Sequence, residues 1–405
     1  MKEGWEYSTI GDLCDKSNGL WKGKTGPFVN VGVIRNENFT KSFTLSFDNI
    51  EYLDVEAKQY KTRKLQKGDL IVEKSGGSEK QPVGRTVLFD RDDGEYSFSN
   101  FTSVLRIKDR DIISPEFLYK YILFVYLRGD TRKMQKATTG IHNIEFDKFL
   151  SIPVPTPPLS EQQSIVDYLD SAFAKIDAMK ANAEKSLNEA KALFQASLKE
   201  MLEPKEGWEE KKVKDLSLLI TKGSSPKWQG NSYVNSEGIL FVTSENVREG
   251  CLEFNPAKFV DNSFNIKQRR SILKKFDVLV NIVGASIGRA AIFDIDVENA
   301  NINQAVCLIR LDRNKILPQY LCLFLNSEHA FNQYASMVKD TARANLSLEN
   351  IGCLEIGIPP LSEQQRIVSR LDSLSAHVRE LEEVLQKTIA ECDALKQALL
   401  RKVFE

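Results

Sequence analysis

The chain has 405 residues, 42% hydrophobic and 27% charged, a composition that supports buried cores and argues against disordered or fibrous classes. No run of 18 apolar residues occurs, and the opening MKEGWEYSTIGDL lacks the apolar core of a signal peptide, so a soluble, unexported, cytoplasmic protein is expected. A net charge of −1 neither implies nor excludes a polyanionic partner, and six cysteines and three histidines without C-x-x-C spacing argue against a metal site or a disulfide scaffold.

In chain order, residues 1–157 read as one globular domain of mixed strands and helix. DLIVEK (69–74), RTVLF (85–89) and TSVLRI (102–107) are short runs rich in β-branched residues, and SPEFLYKYILFVYLR (114–128) reads as a helix with a buried face. Three polar loops interrupt them: NGLWKGKTG (18–26), KSGGSEKQPVGR (74–85) and QKATTGIHN (135–143). Gly and Ser let backbone N–H groups approach phosphates, Lys and Arg neutralise them, and Arg, Asn and Gln can read base edges through paired hydrogen bonds. GLWKGKT (19–25) is not a P-loop: it has three residues between Gly19 and Gly23 where four are needed, and no apolar strand leads in.

Residues 158–203 read as one long helix, opening PLSEQQ, with Ser160 and Gln163 spaced as a capping box. Ile165, Leu169, Ile176, Met179, Leu187 and Phe194 then recur at heptad spacing without Gly or Pro, which predicts a coiled-coil seam. Residues 204–359 form a second mixed domain, with strands at GILFVT (238–243), DVLVNIV (277–283) and AVCLIRL (305–311) and a helix at LPQYLCLFLNSEHAFNQYA (317–335). Its polar loops are TKGSSPKWQG (221–230), NIVGASIGR (281–289) and KDTARANLS (339–347). Residues 360–405 are a second long helix, opening PLSEQQ again, with Ile367, Leu371, Leu374, Val378, Leu381, Leu385, Leu395 and Leu399 on its seam.

The chain is therefore two copies of one unit. PLSEQQSIVDYLDS (158–171) matches PLSEQQRIVSRLDS (360–373), KEGWE recurs at 2–6 and 205–209, and VGRTVLF (83–89) matches IGRAAIF (287–293). The order domain, helix, domain, helix predicts an α+β architecture in which two pseudo-twofold-related domains are joined by two antiparallel helices. Each helix of about 43 residues would extend roughly 65 Å, up to about two turns of DNA. That the loops stay in step while their letters diverge favours one ligand class read with two specificities.

The doubled PPLSEQQ (157–163 and 359–365) with its following helix, GASIGR (284–289), TKGSSP (221–226) and the Trp of each KEGWE resemble the specificity (S) subunits of type I restriction-modification enzymes, over essentially the whole chain. The resemblance implies two target recognition domains, each reading half of a split double-stranded DNA site, and a helix pair that sets the gap and docks two modification (methyltransferase) subunits, with motor-nuclease subunits joining. S-adenosylmethionine, ATP and magnesium belong to those partners; no cofactor, metal or catalytic residue is expected here, and no membrane. No N-P-P-[FY] or D-P-P-Y motif is present, which agrees with a non-catalytic chain. The DNA-contacting residues expected on this reading are Lys22, Lys24, Ser78, Lys80, Arg85, Lys136, Thr138, His142 and Asn143 in the first domain. In the second they are Lys222, Ser224, Ser225, Lys227, Ser286, Arg289, Arg343 and Asn345. The first domain departs from the family pattern, since KSGGSEKQPVGR is longer than GASIGR and TTGIHN stands where TARANL does. A structural adaptor that holds proteins on a helical spacer, and an enzyme carrying its own recognition domains, remain as alternatives at this point.

Overall fold

The computed structural model describes residues 4–20, 23, 25–79, 81–138, 141–235, 238–337 and 345–405. The chain forms two compact units, Met1–Ala183 with Gln386–Glu405, and Glu184–Leu385.

Unit 1 is built on a four-stranded antiparallel sheet in the order Cys14–Asn18, Thr102–Ile107, Asp69–Glu73, Thr86–Phe89. The central strand is buried throughout, and side-chain alternation divides its neighbours. Leu70 and Val72 join the core under the helix Pro115–Arg128, while Ile71 faces a second cluster with Ile34, Val87, Phe89 and Phe98. That helix starts where Ser114 accepts the Phe117 N–H behind Pro115, and it stops at Gly129, whose φ of 90° is the left-handed conformation of a helix C-cap. A three-stranded sheet of Glu51–Glu56, Phe28–Ile34 and Tyr96–Phe98 covers the far side.

Unit 2 repeats this plan. Its four-stranded sheet runs Ser217–Lys222, Val306–Leu311, Asp277–Asn281, Ala290–Phe293. Val278 and Val280 face the helical core and Leu279 the opposite cluster. The expected single helix over 317–335 is two, Pro318–Leu325 and Glu328–Met337. Asn326 ends the first by donating to the Cys322 and Ala290 carbonyls, and Ser327 accepts the Ala330 N–H at 3.4 Å as the next begins.

One buried ion pair is common to both sheets. Asp69 accepts Nε and Nη2 of Arg106 at 2.8 and 2.7 Å, and Asp277 accepts the same atoms of Arg310 at the same distances.

Two continuous helices of 44 residues, Leu159–Leu202 and Leu361–Phe404, contribute to both units. Within unit 1 they run antiparallel: Lys180 reaches Asp393 at 2.7 Å, and Asp177, one turn earlier, reaches Lys396, one turn later. Phe404 closes the second helix against Phe117, Tyr121 and Phe124, with ring centroids 5.6, 5.2 and 5.5 Å away. Within unit 2 Lys191 pairs with Glu382 at 3.6 Å, and Leu198, Leu202, Ile367, Val368 and Leu371 enter the module's core.

The seam differs from the expected one at three positions. Ile165, Leu169, Ile176, Phe194, Ile367, Leu371 and Leu399 pack inward, and Leu187, Leu374, Val378 and Leu385 are half-buried, but Met179, Leu381 and Leu395 are exposed. The buried stripe of the first helix keeps heptad spacing through Leu169, Ile176, Ala183 and Ala190, with Val166 and Phe173 beside it, and Met179 lies outside it.

The PLSEQQ repeat also works differently from a capping box. Ser160 and Ser362 lie inside the first helical turn, and Gln163 bonds Asp167 rather than the helix start. The neighbouring glutamine is the structural residue. Fully buried Gln162 donates to the Ile112 and Pro157 carbonyls, both at 2.8 Å, and accepts the Ser114 N–H at 2.9 Å. Fully buried Gln364 does the same to Lys315, Pro359 and Leu317. Each glutamine thus clamps the start of a long helix to the start of its module's helix. Trp5 of the first KEGWE donates to Glu161 of the first PLSEQQ at 3.1 Å, so the two recurring landmarks are in contact in unit 1.

Candidate nucleic-acid interface

Strand register gathers the separated polar loops at one end of each sheet. In unit 2, Lys222 pairs with Cys307, Cys307 with Val280, and Val280 with Ala290. The segments after Lys222, before Val306 and between Asn281 and Ala290 therefore leave the sheet side by side. Val283 also bridges to Asn345, which brings the third loop to the same place. In unit 1, Asn18 pairs with Ser103, Ser103 with Val72, and Val72 with Thr86, giving the same convergence. There the strands Gln135–Thr138, Ile141–Ile144 and Ser75–Gly77 form a small sheet that joins two loops the sequence separates by some 60 residues. Close packing fixes the exit of the first loop in both copies: a Cβ on Gly19 would lie 1.8 Å from the Ser99 carbonyl, and one on Gly223 1.7 Å from the Ile302 carbonyl.

In unit 1, Lys136 is exposed on the hairpin opposite Asn143, and Ser78 is exposed while accepting the Gln81 N–H at 3.1 Å. Asn143 accepts from the Ser75 hydroxyl, and Asn36 donates to the Ser75 carbonyl at 2.6 Å. His142 has its Nδ1 buried without a hydrogen-bond partner among the described residues. Lys74 stands at the root of this group, its ammonium pulled below its ordinary value by burial and then by Lys16. Arg85 is not an open fork: it lies against Glu73 at 2.7 and 3.2 Å, both side chains largely buried, with Phe39 beneath the guanidinium. Turning the Gln81 amide brings its oxygen within 2.9 Å of the same group. Lys22, Lys24, Lys80 and the Thr138 side chain lie outside the described residues.

In unit 2, Asn281 stands where Glu73 does, since each receives the N–H of the glycine preceding its arginine, Gly84 or Gly288. Asn281 carries no charge and donates to Ser286 at 3.1 Å. Arg289 is consequently freer than Arg85: its side chain is 40% exposed against 15%, and its one ion pair among the described residues, to Glu249, is 3.8 Å long. Lys222 and Lys227 are exposed, Ser224 accepts from Gln229 at 3.0 Å, the Ser225 carbonyl accepts the Trp228 N–H, and Asn345 is exposed. Arg343 lies outside the described residues. Trp228, 73% exposed, sits beside Lys227 at this end of the sheet. Loop composition drew attention to it without placing it among the expected contacts, because a tryptophan reads as core until its exposure is seen. A flat, exposed ring among lysines suits stacking on a base or wedging between base steps.

Among the described residues no group of three or more His, Cys, Asp or Glu could hold a metal ion, and no helix is long and apolar enough to cross a membrane.

Comparisons with known proteins agree with this architecture. A family model described as type I restriction modification DNA specificity domain matches residues 2–189 and again 205–391. The chain is 27% identical to the EcoKI specificity subunit of Escherichia coli K12, over 100% of this chain and 89% of that one, and 26% identical to the StySPI specificity subunit of Salmonella potsdam with the same coverage. Similarity to the Escherichia coli EcoBI specificity subunit, 27%, spans 62% of this chain and 57% of that one. A chain from a solved structure of the type I R-M system superposes with a TM-score of 0.79 at 18% identity, covering 100% and 98% of the two chains. The HsdS subunit of Thermoanaerobacter tengcongensis gives 0.55, also at 18%, covering 100% and 97%. With two copies of the family domain filling the sequence and the matching fold in each unit, the chain belongs to the type I restriction modification DNA specificity family.

Proposed function

We propose that this chain is the sequence-reading, non-catalytic subunit of a cytoplasmic type I restriction-modification complex. Residues 1–157 and 204–359 act as target recognition domains, each reading one half of a bipartite, asymmetric site in double-stranded DNA. The helices at 158–203 and 360–405 set the gap between half-sites and dock two methyltransferase subunits. Those subunits bind S-adenosylmethionine and methylate an adenine in each half-site after flipping it out. Motor-nuclease subunits, with ATP and magnesium, join the same assembly. The observation that carries this reading is the convergence of three polar loops, each with a lysine or arginine in its sequence, at one end of each sheet, in two copies whose letters differ. A structural adaptor would not need the basic and amide side chains to assemble there twice.

Lys136 and Lys222 are assigned to phosphates, with Lys22, Lys24, Lys80 and Lys227. Ser78, Thr138, His142, Asn143, Ser224, Ser225, Ser286 and Asn345 supply polar contacts, and Arg289 and Arg343 read bases. Lys136→Ala and Lys222→Ala are each expected to weaken binding to all sequences alike and to reduce the slope of log affinity against log salt by about 1. Arg289→Ala should cost about 1–3 kcal/mol on the cognate duplex and relax one base position in the half-site read by residues 204–359. Selection from a randomised duplex pool, with the methyltransferase subunit present, checks this; unchanged preference at every position rejects the assignment. Arg85→Ala is expected to act through folding, since it leaves buried Glu73 without its cation.

A further inference from the structure

The two units carry an equivalent cavity between module and helix, and the unit 1 cavity is the smaller. Asp170 and Asp372 hold the same place in VDYLDS and VSRLDS, and each lines a cavity of its own unit, about 210 Å³ in unit 1 and about 470 Å³ in unit 2. In unit 1 the chain itself supplies the occupants. Buried Lys120 forms an ion pair with Asp170, its ammonium 5.0 Å from the centre of the Phe173 ring and 5.4 Å from that of Tyr119. The Tyr119 hydroxyl donates to the Phe43 carbonyl at 2.7 Å, and Phe43, in left-handed backbone at φ 62°, packs its ring on Tyr126.

Unit 2 replaces each of these with something smaller or uncharged. The repeats align Lys120 with Leu323, Tyr119 with Cys322 and Phe173 with Ser375. Phe43 corresponds to Gly250: each stands before the residue whose carbonyl closes the same turn, Thr44 or Cys251, and Gly250 keeps the left-handed backbone at φ 78°. A Cβ at Gly250 would meet nothing within 4 Å. The acid alone persists. Of the cavity's carboxylates, Glu382 pairs with Lys191 and Glu249 with Arg289, and the Arg379 guanidinium donates to Ser375 at 3.1 Å. Among the described residues nothing hydrogen-bonds or ion-pairs with Asp372; partial burial raises its carboxyl above the ordinary value, against a smaller opposing pull from the Arg379 guanidinium.

We propose that the unit 2 cavity is a receptor site for an ammonium group carried beside an aromatic ring, the combination that Lys120, Tyr119 and Phe43 supply internally in unit 1. The ammonium binds Asp372, and the ring occupies the space opened by Gly250, Cys322 and Ser375. This does not rest on the DNA-reading function.

The test is calorimetric titration of the full chain with tyramine, with N-acetyl-lysyl-tyrosinamide and with neutral 4-ethylphenol. At least one of the two cations is expected to bind with a dissociation constant of roughly 1 mM or tighter, and 4-ethylphenol at least about tenfold more weakly. Tighter binding of the dipeptide assigns the site to a segment of a partner polypeptide; tighter binding of tyramine assigns it to a free arylalkylamine. Asp372→Asn should weaken binding at least about tenfold. The double variant Gly250→Phe with Leu323→Lys, which rebuilds the unit 1 occupants, should abolish it while circular dichroism remains that of the folded chain. No binding of either cation at about 10 mM, equal binding of 4-ethylphenol, or unchanged affinity in Asp372→Asn overturns the inference, and Asp372→Asn decides it even if the double variant fails to fold.

Discussion

Gln364→Ala is expected to destabilise unit 2 by about 3–5 kcal/mol, an unusually large effect for a polar substitution. The Gln364 amide is fully buried and makes three hydrogen bonds, all to backbone: to the carbonyls of Lys315 and Pro359 and from the N–H of Leu317. Alanine would leave all three backbone groups without partners where water cannot easily replace them, each at a cost of about 1–3 kcal/mol. It would also unfasten the long helix Leu361–Phe404 from the segment that starts Pro318–Leu325. Gln364→Glu should be nearly as damaging, because it removes both donated bonds and buries a charge. The neighbour Gln365, exposed and among the described residues bonded through its side chain only to Ser369 at 3.4 Å, is the control, with an expected change below about 0.5 kcal/mol on mutation to alanine. Urea unfolding of the three variants separates these outcomes; equal losses in Gln364→Ala and Gln365→Ala would remove the clamp from the account.

Asp277→Ala should cost a similar amount, about 3–5 kcal/mol. Its carboxylate is buried and accepts two bonds from Arg310 and the Lys274 N–H at 2.7 Å. Truncation strands a guanidinium that is only 22% exposed, together with an orphaned backbone donor. The cost lies in the unpaired charge rather than in the pair's own worth, so Asp277→Ala with Arg310→Met should recover part of the loss. A double-mutant cycle measures this, and strictly additive losses would contradict it. Asp69 and Arg106 repeat the geometry in unit 1, with the Gln66 N–H in the third position at 2.8 Å, so the same cycle there should agree.

Much of this architecture was legible in the letters, because a repeat and a period are local signals. PLSEQQ located both long helices to within a residue, and DLIVE and DVLVN announced the two central strands. What the letters hid were contacts between distant residues. Gln162 and Gln163 are adjacent and chemically identical, yet only the first points into the module, since a step of about 100° per residue on the helix separates buried from solvated. Arg85 and Arg289 both follow Gly in matching motifs, and nothing in either motif shows that one is held by the buried carboxylate of Glu73 while the other, with Asn281 at that position, has Glu249 at 3.8 Å. Heptad counting placed Met179, Leu381 and Leu395 on the seam because it treats both apolar positions of the repeat alike, whereas only one of them, Leu169, Ile176, Ala183 and Ala190 in the first helix, stays inward along the helix. The loops showed the right chemistry in sequence, but their meeting at one end of each sheet depends on strand register.

Divergence between the copies has a physical pattern. Residues that hold the fold, namely the Gln clamps, the Asp–Arg pairs and the close-approach glycines, keep the same partners in both units. Residues at the converging loops do not, as Glu73 against Asn281 and the exposed Trp228 illustrate. That separation is what a common scaffold carrying two specificities requires.

The central claim is that each domain reads its own half of a split DNA site. It is tested most directly by sequencing the methylated adenines of a host expressing the chain with its methyltransferase subunit, and again after residues 204–359 are exchanged for those of another family member. The account predicts one gapped motif with two half-sites, of which the exchange changes one and leaves the other and the gap as they were. A contiguous motif, no methylated motif, or both half-sites changing together would contradict it.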